Sequence, residues 1–170
     1  MDAGVVSVRR AAPLTATAGE VVDLGLVGSP VNNGAPQLLK DLLVRRYVPV
    51  VACIGAARNG QLLNVNADTL AAHLAVELAA MRLVIAGGTS GVLDDAGCTI
   101  GRLTTRAAAR LIKQGTASHG MIAKLEACRA ALRGGVRDVL IVNGRDADLR
   151  AVDRISTASA SSAPALTVIA

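Results

Sequence analysis

Three short stretches of this chain carry residues whose types and spacing could do chemistry. The first is Asn64-Val65-Asn66-Ala67-Asp68. If the segment is extended, period two turns Asn64, Asn66 and Asp68 to one side. Two amides and a carboxylate there could hold a small polar ligand; the same residues could also be a helix N-cap and its turn. The second is Gly87-Gly88-Thr89-Ser90-Gly91, directly after the apolar run Arg82–Ala86. Glycines after a buried strand let backbone amides approach a phosphate or a flat base. The loop is neither G-x-x-x-x-G-K-[ST] nor G-x-G-x-x-G, and a plain tight turn has the same composition. The third is Gly115 to Lys124, a glycine-bounded polar loop entering a helix. A compact ammonium on a flexible stem, one turn inside that helix, suits a moving phosphoryl group, although a solvated helix lysine looks the same in sequence. His119 lies in this loop and could touch a ligand or only solvent. His73 sits mid-helix among Ala and Leu and reads as structural.

These stretches need elements to position them. Val5–Arg9 and Val21–Val27 read as short strands, the second broken by Gly25. Ala35–Arg46 places Leu38, Leu39, Leu42 and Leu43 at helical spacing, with Pro36 in its first turn. Tyr47–Ile54 is a continuous apolar run and predicts a strand buried on both faces. Asn66 caps a helix expected from about Ala67 to Met81, and Arg82–Ala86 reads as a second buried strand. Further helices are expected from Thr104 or Thr105 to Gln114, over Met121–Arg133, and from Asp146 to about Arg154. Strands are expected at Asp138–Val142 and Ala165–Ile169, with a Ser/Ala loop at Ser156–Ala163. Alternation from Ala35 onward predicts an α/β fold, a three-layer αβα sandwich with a mostly parallel sheet, its Tyr47–Ile54 and Arg82–Ala86 strands central. Ligands of such sheets bind beyond the carboxyl ends of strands, here after Ile54, Ala86 and Val142.

Composition narrows the classes. The chain has 170 residues, 52% of them hydrophobic and 18% charged, enough for one domain, residues 1–170, with a real core. Tyr47 is the only aromatic residue, which argues against stacking platforms for single-stranded nucleic acid. A formal charge of +5 is spread along the chain rather than gathered in a stripe, so no nucleic-acid partner is expected. Lys40, Lys113 and Lys124 are the lysines in a basic set of 18 that otherwise uses Arg. Cys53, Cys98 and Cys128 have no C-x-x-C spacing, and with His73 and His119 they assemble no metal site. No apolar run is long enough to cross a membrane, and Met1–Val5 has no signal-peptide pattern, so the default compartment is the cytoplasm.

Taken together, the motifs resemble the amino-acid kinase family, and within it the acetylglutamate kinase branch. The resemblance rests on Asn64-Val65-Asn66-Ala67-Asp68, on Gly120-Met121-x-x-Lys124, and on Gly134-Gly135-Val136-x-x-Val139-x-Ile141-x-x-Gly144-Arg145. Upstream, Val22–Gly28 and Tyr47–Gly55 fit in the same order. It covers about Asp2 to Val142. It implies transfer of the γ-phosphoryl of ATP, accompanied by Mg²⁺, to the side-chain carboxylate of N-acetyl-L-glutamate in arginine biosynthesis, chemistry that is mostly positioning and charge neutralisation.

By position, the resemblance gives Asn64 and Asn66 to the acetylamino acid. Asp68 orients lysines and Lys124 sits on the transferring phosphoryl. Gly88, Thr89, Ser90, Gly91, Val92 and Leu93 line the nucleotide pocket, with Thr116, Ala117 and Ser118 opposite. It also implies a homo-oligomer for a full-length member. Family members usually carry Ser/Thr-Asp where this chain has Gly87-Gly88, and Gly or a small polar residue where it has His119. They also open with a lysine-bearing strand, a glycine-rich phosphate loop and a carboxylate-gripping arginine. All of these precede Asp2-Ala3-Gly4, so the chain is expected to be amino-terminally truncated, mainly the nucleotide-binding half. A kinase of carrier-linked aminoadipate or glutamate, and a non-catalytic nucleotide-binding module, are the alternative readings.

Overall fold

Residues 5–15, 19–32, 36–114, 119–145 and 166–170 are described by the computed structural model. They form two units that divide between Leu78 and Ala79.

In the first unit, β1 (Val8–Arg10) runs out to a small hairpin of β2 (Leu14–Thr15) and β3 (Val21–Val22). The chain returns through β4 (Gly28–Pro30), antiparallel to β1 from Val8 opposite Pro30 to Arg10 opposite Gly28. Asp23 helps the return. Its Oδ1 accepts from Gly25 N at 2.9 Å, and Gly25 takes φ +67, where a side chain is disfavoured. After helix α1 (Gln37–Val44), β5 (Ile54–Ala56) and β6 (Leu62–Asn64) form a second antiparallel pair about the Asn59-Gly60 turn. Parallel bridges between Ser7 and Ala56, and between Val27 and Asn64, tie the two pairs together on both sides. Four short strands thereby close around Val6, Val8, Leu63, Val65 and the first inward leucine of helix α2 (Ala67–Glu77), Leu70. The closure is tight. A Cβ on Gly28 would stand 2.9 Å from that of Leu63, and one on Gly55 would overlap Val8 Cγ1.

In the second unit, β7 (Arg82–Gly87) and β9 (Asp138–Asn143) pair in parallel over six positions, Arg82 opposite Asp138 and Gly87 opposite Asn143. Between them come β8 (Arg102–Leu103), α3 (Thr105–Gln114) and α4 (His119–Arg133). The last strand, β10 (Leu166–Ile169), inserts antiparallel to β9 and parallel to β8, so the order is β7-β9-β10-β8. Asp138–Val142 is buried throughout, as expected of a strand covered on both faces. Helix α4 packs on β9 through a side that buries Leu125, Ala127, Cys128 and Ala131, and α3 packs on α4. Arg82 Nε and Nη2 donate to the two carboxylate oxygens of Asp138, the second at 3.0 Å. Asp138 is only 2% exposed, and a carboxylate so buried persists when its oxygens are matched by a guanidinium fork.

The fold is α/β, as expected, with the parallel pair β7–β9 in the sheet of the second unit, but two strand placements are corrected. Tyr47–Ile54 is not a buried central strand. Strand geometry begins only at Ile54, and Val48 and Val50 are 88% and 96% exposed. Val51 and Cys53 pack half-buried against the first unit's core, but most of the run forms no strand and stays exposed. Arg82–Gly87 is a strand, yet it stands at the edge of the described sheet while β9 lies inside. The Val21–Val27 reading shortens to Val21–Val22, with β4 starting at Gly28 after the Gly25 break. The helix expected over Asp146–Arg154 and the Ser156–Ala163 loop lie outside the described residues.

Gly55→Ala is expected to lower stability by about 1–3 kcal/mol, because the methyl has no space beside Val8. Gly88→Ala, where nothing lies within 4 Å, should stay within about 0.5 kcal/mol of the parent. Urea unfolding midpoints of the two variants make the comparison.

Candidate active site

The residues expected to bind and react fall into one group in each unit. In the first unit they stand where β6 enters α2. Leu63 and Val65 point inward and Asn64 and Asn66 outward, the period-two pattern expected of an extended segment. Asn64 is fixed through its backbone, whose N–H donates to Leu26 O at 2.8 Å. Asn66 is the N-cap of α2. Its Oδ1 accepts from Thr69 N at 3.1 Å and from Thr69 Oγ1 at 3.3 Å, so its side-chain NH₂ is the part left for other partners. Asp68 is half-buried in the first turn of α2, where a carboxylate is favoured by the helix dipole. The alternation therefore stops at Asn66, and Asp68 is placed by the helix instead.

In the second unit the glycine-rich loop leaves the carboxyl end of β7. Gly88 and Thr89 are exposed, Ser90 is half-buried, Gly91 and Val92 are buried, and Leu93 is exposed. Thr89 Oγ1 donates to Gly91 O at 3.3 Å, and Gly91 has φ +101. The loop runs into a small β-turn structure over Val92–Ile100, in which Asp94 Oδ1 accepts from Ala96 N at 3.0 Å and Cys98 N at 2.8 Å. It is closed from the far end of the chain. Val92 N donates to the buried Thr167 hydroxyl at 2.7 Å, and that hydroxyl donates to Ile100 O at 2.7 Å.

Lys124, half-buried on α4, reaches this loop. Its Cε lies 3.3 Å, and its Nζ 4.0 Å, from the point where a Cβ on Gly87 would stand. The end of the Lys124 side chain thus lies over the position that a side chain on Gly87 would take. The structure brings Lys124 together with the Gly87-Gly88 turn, and the absence of a side chain at Gly87 makes the room. Thr116, Ala117 and Ser118 lie outside the described residues.

Gly144 belongs to a motif quoted above but was given no role there, and Asn143 and Thr167 were not singled out. Gly144 N donates to Gly87 O at 2.8 Å, and a Cβ on Gly144 would stand 3.1 Å from that of Ala86. Asn143 Oδ1 accepts from Arg145 N at 3.1 Å. The turn after β9 is therefore pressed against the turn after β7. An Asn-Gly pair following a buried strand is the local signal that could have marked it. Thr167 had no such signal. Among the described residues no cluster of three His, Cys, Asp or Glu side chains could hold a metal ion.

An ammonium and two glycine turns at the carboxyl ends of adjacent parallel strands form a place where a phosphate chain could meet backbone amides and a cation. The comparisons with known proteins bear on the same residues. The profile of the Amino acid kinase family matches residues 5–143.

The chain belongs to the amino acid kinase family.

Acetylglutamate kinase of Anaeromyxobacter dehalogenans (strain 2CP-C) is 50% identical over 126 residues, covering 72% of this chain and 46% of that protein. Acetylglutamate kinase of Methanoculleus marisnigri is 41% identical over 147 residues, covering 84% and 50%. The chain spans about half the length of the relatives it matches. Among solved structures, N-acetylglutamate synthase from Neisseria gonorrhoeae, complexed with coenzyme A and L-arginine, superposes with a TM-score of 0.77. It is 24% identical and covers 98% of this chain and 36% of that one. Carbamate kinase from Giardia lamblia gives a TM-score of 0.64 at 16% identity, covering 88% and 46%. These two likenesses establish the amino acid kinase fold. No helix among the described residues is long and apolar enough to cross a membrane.

Asn66→Ala is expected to cost about 1 kcal/mol through loss of the cap on α2, and Asn66→Asp to restore most of it. Thermal unfolding of both variants is the measurement.

Proposed function

We propose that this family member acts as an acetylglutamate kinase, transferring the γ-phosphoryl of ATP to the side-chain carboxylate of N-acetyl-L-glutamate, a step of arginine biosynthesis. The observation that carries the reading is the seat of Lys124 against Gly87, at the carboxyl end of β7 and beside the turn at Gly144. The identity of 41–50% to proteins named acetylglutamate kinase supports the choice of substrate.

In this reading the Gly88–Leu93 loop receives the nucleotide, with Thr116, Ala117 and Ser118 contributing from the segment before α4. The open space at Gly88 fits a phosphate against the backbone. Lys124 stabilises charge on the phosphoryl oxygens as the bond to the leaving oxygen loosens. Asn64 and the NH₂ of Asn66 hold the acetylamino acid, and Asp68 is the organising carboxylate. Mg²⁺ enters on the phosphates of ATP, which suits an ion that keeps most of its coordination to phosphate and water. When bound, it neutralises charge on the phosphate chain. A homo-oligomeric, cytoplasmic enzyme acting on small molecules, with no nucleic acid or membrane partner, completes the proposal.

ADP formation from ATP is expected to depend on N-acetyl-L-glutamate. Turnover that instead needs a carrier-linked aminoadipate or glutamate, or nucleotide binding without turnover, would overturn the assignment. In a full-length enzyme containing this segment, Lys124→Ala should lower kcat by on the order of a hundredfold or more, with a smaller effect on ATP binding, the scale for removing one preorganised donor from a transition state. Asp68→Asn should lower kcat while the fold is retained. Steady-state kinetics separates these outcomes; a raised KM for ATP with unchanged kcat in Lys124→Ala would make that residue an ordinary binding lysine.

A further inference from the structure

Helix α4 carries a second cationic feature at the end opposite Lys124. A cleft of about 470 Å³ lies between α3 and α4, lined by Thr105, Arg106, Ala109, Arg129, Leu132 and Arg133. Three arginines and a threonine line it together with an alanine and a leucine, and no carboxylate residue is among the lining residues. Arg133 is nine residues beyond Lys124, about 14 Å of helix rise.

Among the described residues the three arginines have no ion-pair partner. Ion pairs among the described residues join Arg10 to Asp23, and Arg82 and Arg137 to Asp138; none reaches Arg106, Arg129 or Arg133. Glu126, three residues before Arg129 on the same helix, is exposed and does not line the cleft. Helix energetics favour only part of this arrangement: Arg133 stands in the last turn of α4, where the macrodipole favours a base. Arg129 and Arg133 are a like-charged i,i+4 pair, which repels. Arg106 stands in the first turn of α3, where the macrodipole favours an acid over a base. Arg110 and Lys113 on α3 lie outside the cleft and do the ordinary work of a solvated face.

We propose that this cleft binds a small, multiply charged anion bearing phosphate or carboxylate groups. The planar fork of arginine matches both groups bidentately, and three forks can grip at least two of them. The volume is in the range of small-ligand sites, and the apolar floor would contact the body of such a ligand. A nucleic acid would call for an extended basic stripe and a membrane for a larger polybasic cluster, whereas this site is a short cleft.

The test uses inorganic pyrophosphate as the probe, titrated at constant ionic strength into the chain carrying Lys124→Ala, with the arginine Nε–Hε resonances followed by NMR. Saturable shifts on Arg106, Arg129 and Arg133 are expected. Arg129→Ala should weaken the apparent Kd by at least about tenfold, and Arg110→Ala should leave it unchanged. Arg106→Gln, at an exposed position, carries the same expectation should Arg129→Ala fail to fold. Non-saturating shifts spread over all arginines, or equal weakening by Arg110→Ala, would reduce the cleft to diffuse electrostatics and overturn the proposal. So would inertness to pyrophosphate with Arg129-dependent binding to vesicles of phosphatidylserine and phosphatidylcholine. Because Lys124 is absent from the protein titrated, the outcome is independent of the kinase reading.

Discussion

The parallel register of β7 on β9 is the constraint from which the second unit follows. It begins at a buried ion pair. Asp138 is tolerable inside the protein because Arg82, directly opposite it, offers two donors to its two oxygens. A slip of one residue would strand that carboxylate and turn the side chains of β7 to the wrong face. With Arg82 matched to Asp138, Gly87 must come level with Asn143 five residues later. Gly144 then meets Gly87 O, and the turn that seats the Lys124 ammonium is in place. An electrostatic match at one end of the strands thus fixes the approach of backbone to backbone at the other.

The first unit obeys a steric rule instead. Four short strands close around five apolar side chains because Gly28 and Gly55 let neighbouring strands come within reach of Leu63 and Val8. The closed core delivers Leu63 and Val65 inward, and this leaves Asn64 and Asn66 facing out where α2 begins. The helix then takes Asn66 as its cap and Asp68 into its first turn, so side chains of ligand-binding type also serve to start the helix.

Helices and buried strands were legible in the residues, and so was much of the candidate site. The leucine spacing of α1, the Asn66 cap of α2, the glycines after α3 and α4, and the apolar cores of β7 and β9 are local signals that the structure keeps to within a few residues. Only the family resemblance put Lys124 and the Gly88–Leu93 loop at one site; neither stretch points to the other by its own residues. Tyr47–Ile54 misled because hydrophobicity reports what a segment could bury and says nothing of whether a partner strand is there. β6 and β8 span only three and two residues and exist through pairing, without a pattern of their own. Thr167 acts across a long sequence separation, which no local composition reveals.

Thr167 has one more consequence. Its hydroxyl is both the acceptor for Val92 N and the donor to Ile100 O, and it comes from the chain's last strand. The loop after β7 is thus latched by a residue 75 positions later. Contacts of such separation form only after a large loop has closed, at a cost in chain entropy. During folding, the loop over Val92–Ile100 therefore gains this latch only after β10 has found its place beside β9. Before that docking, the loop is held only by its own bonds, from Ile100 N to Val92 O and around Asp94.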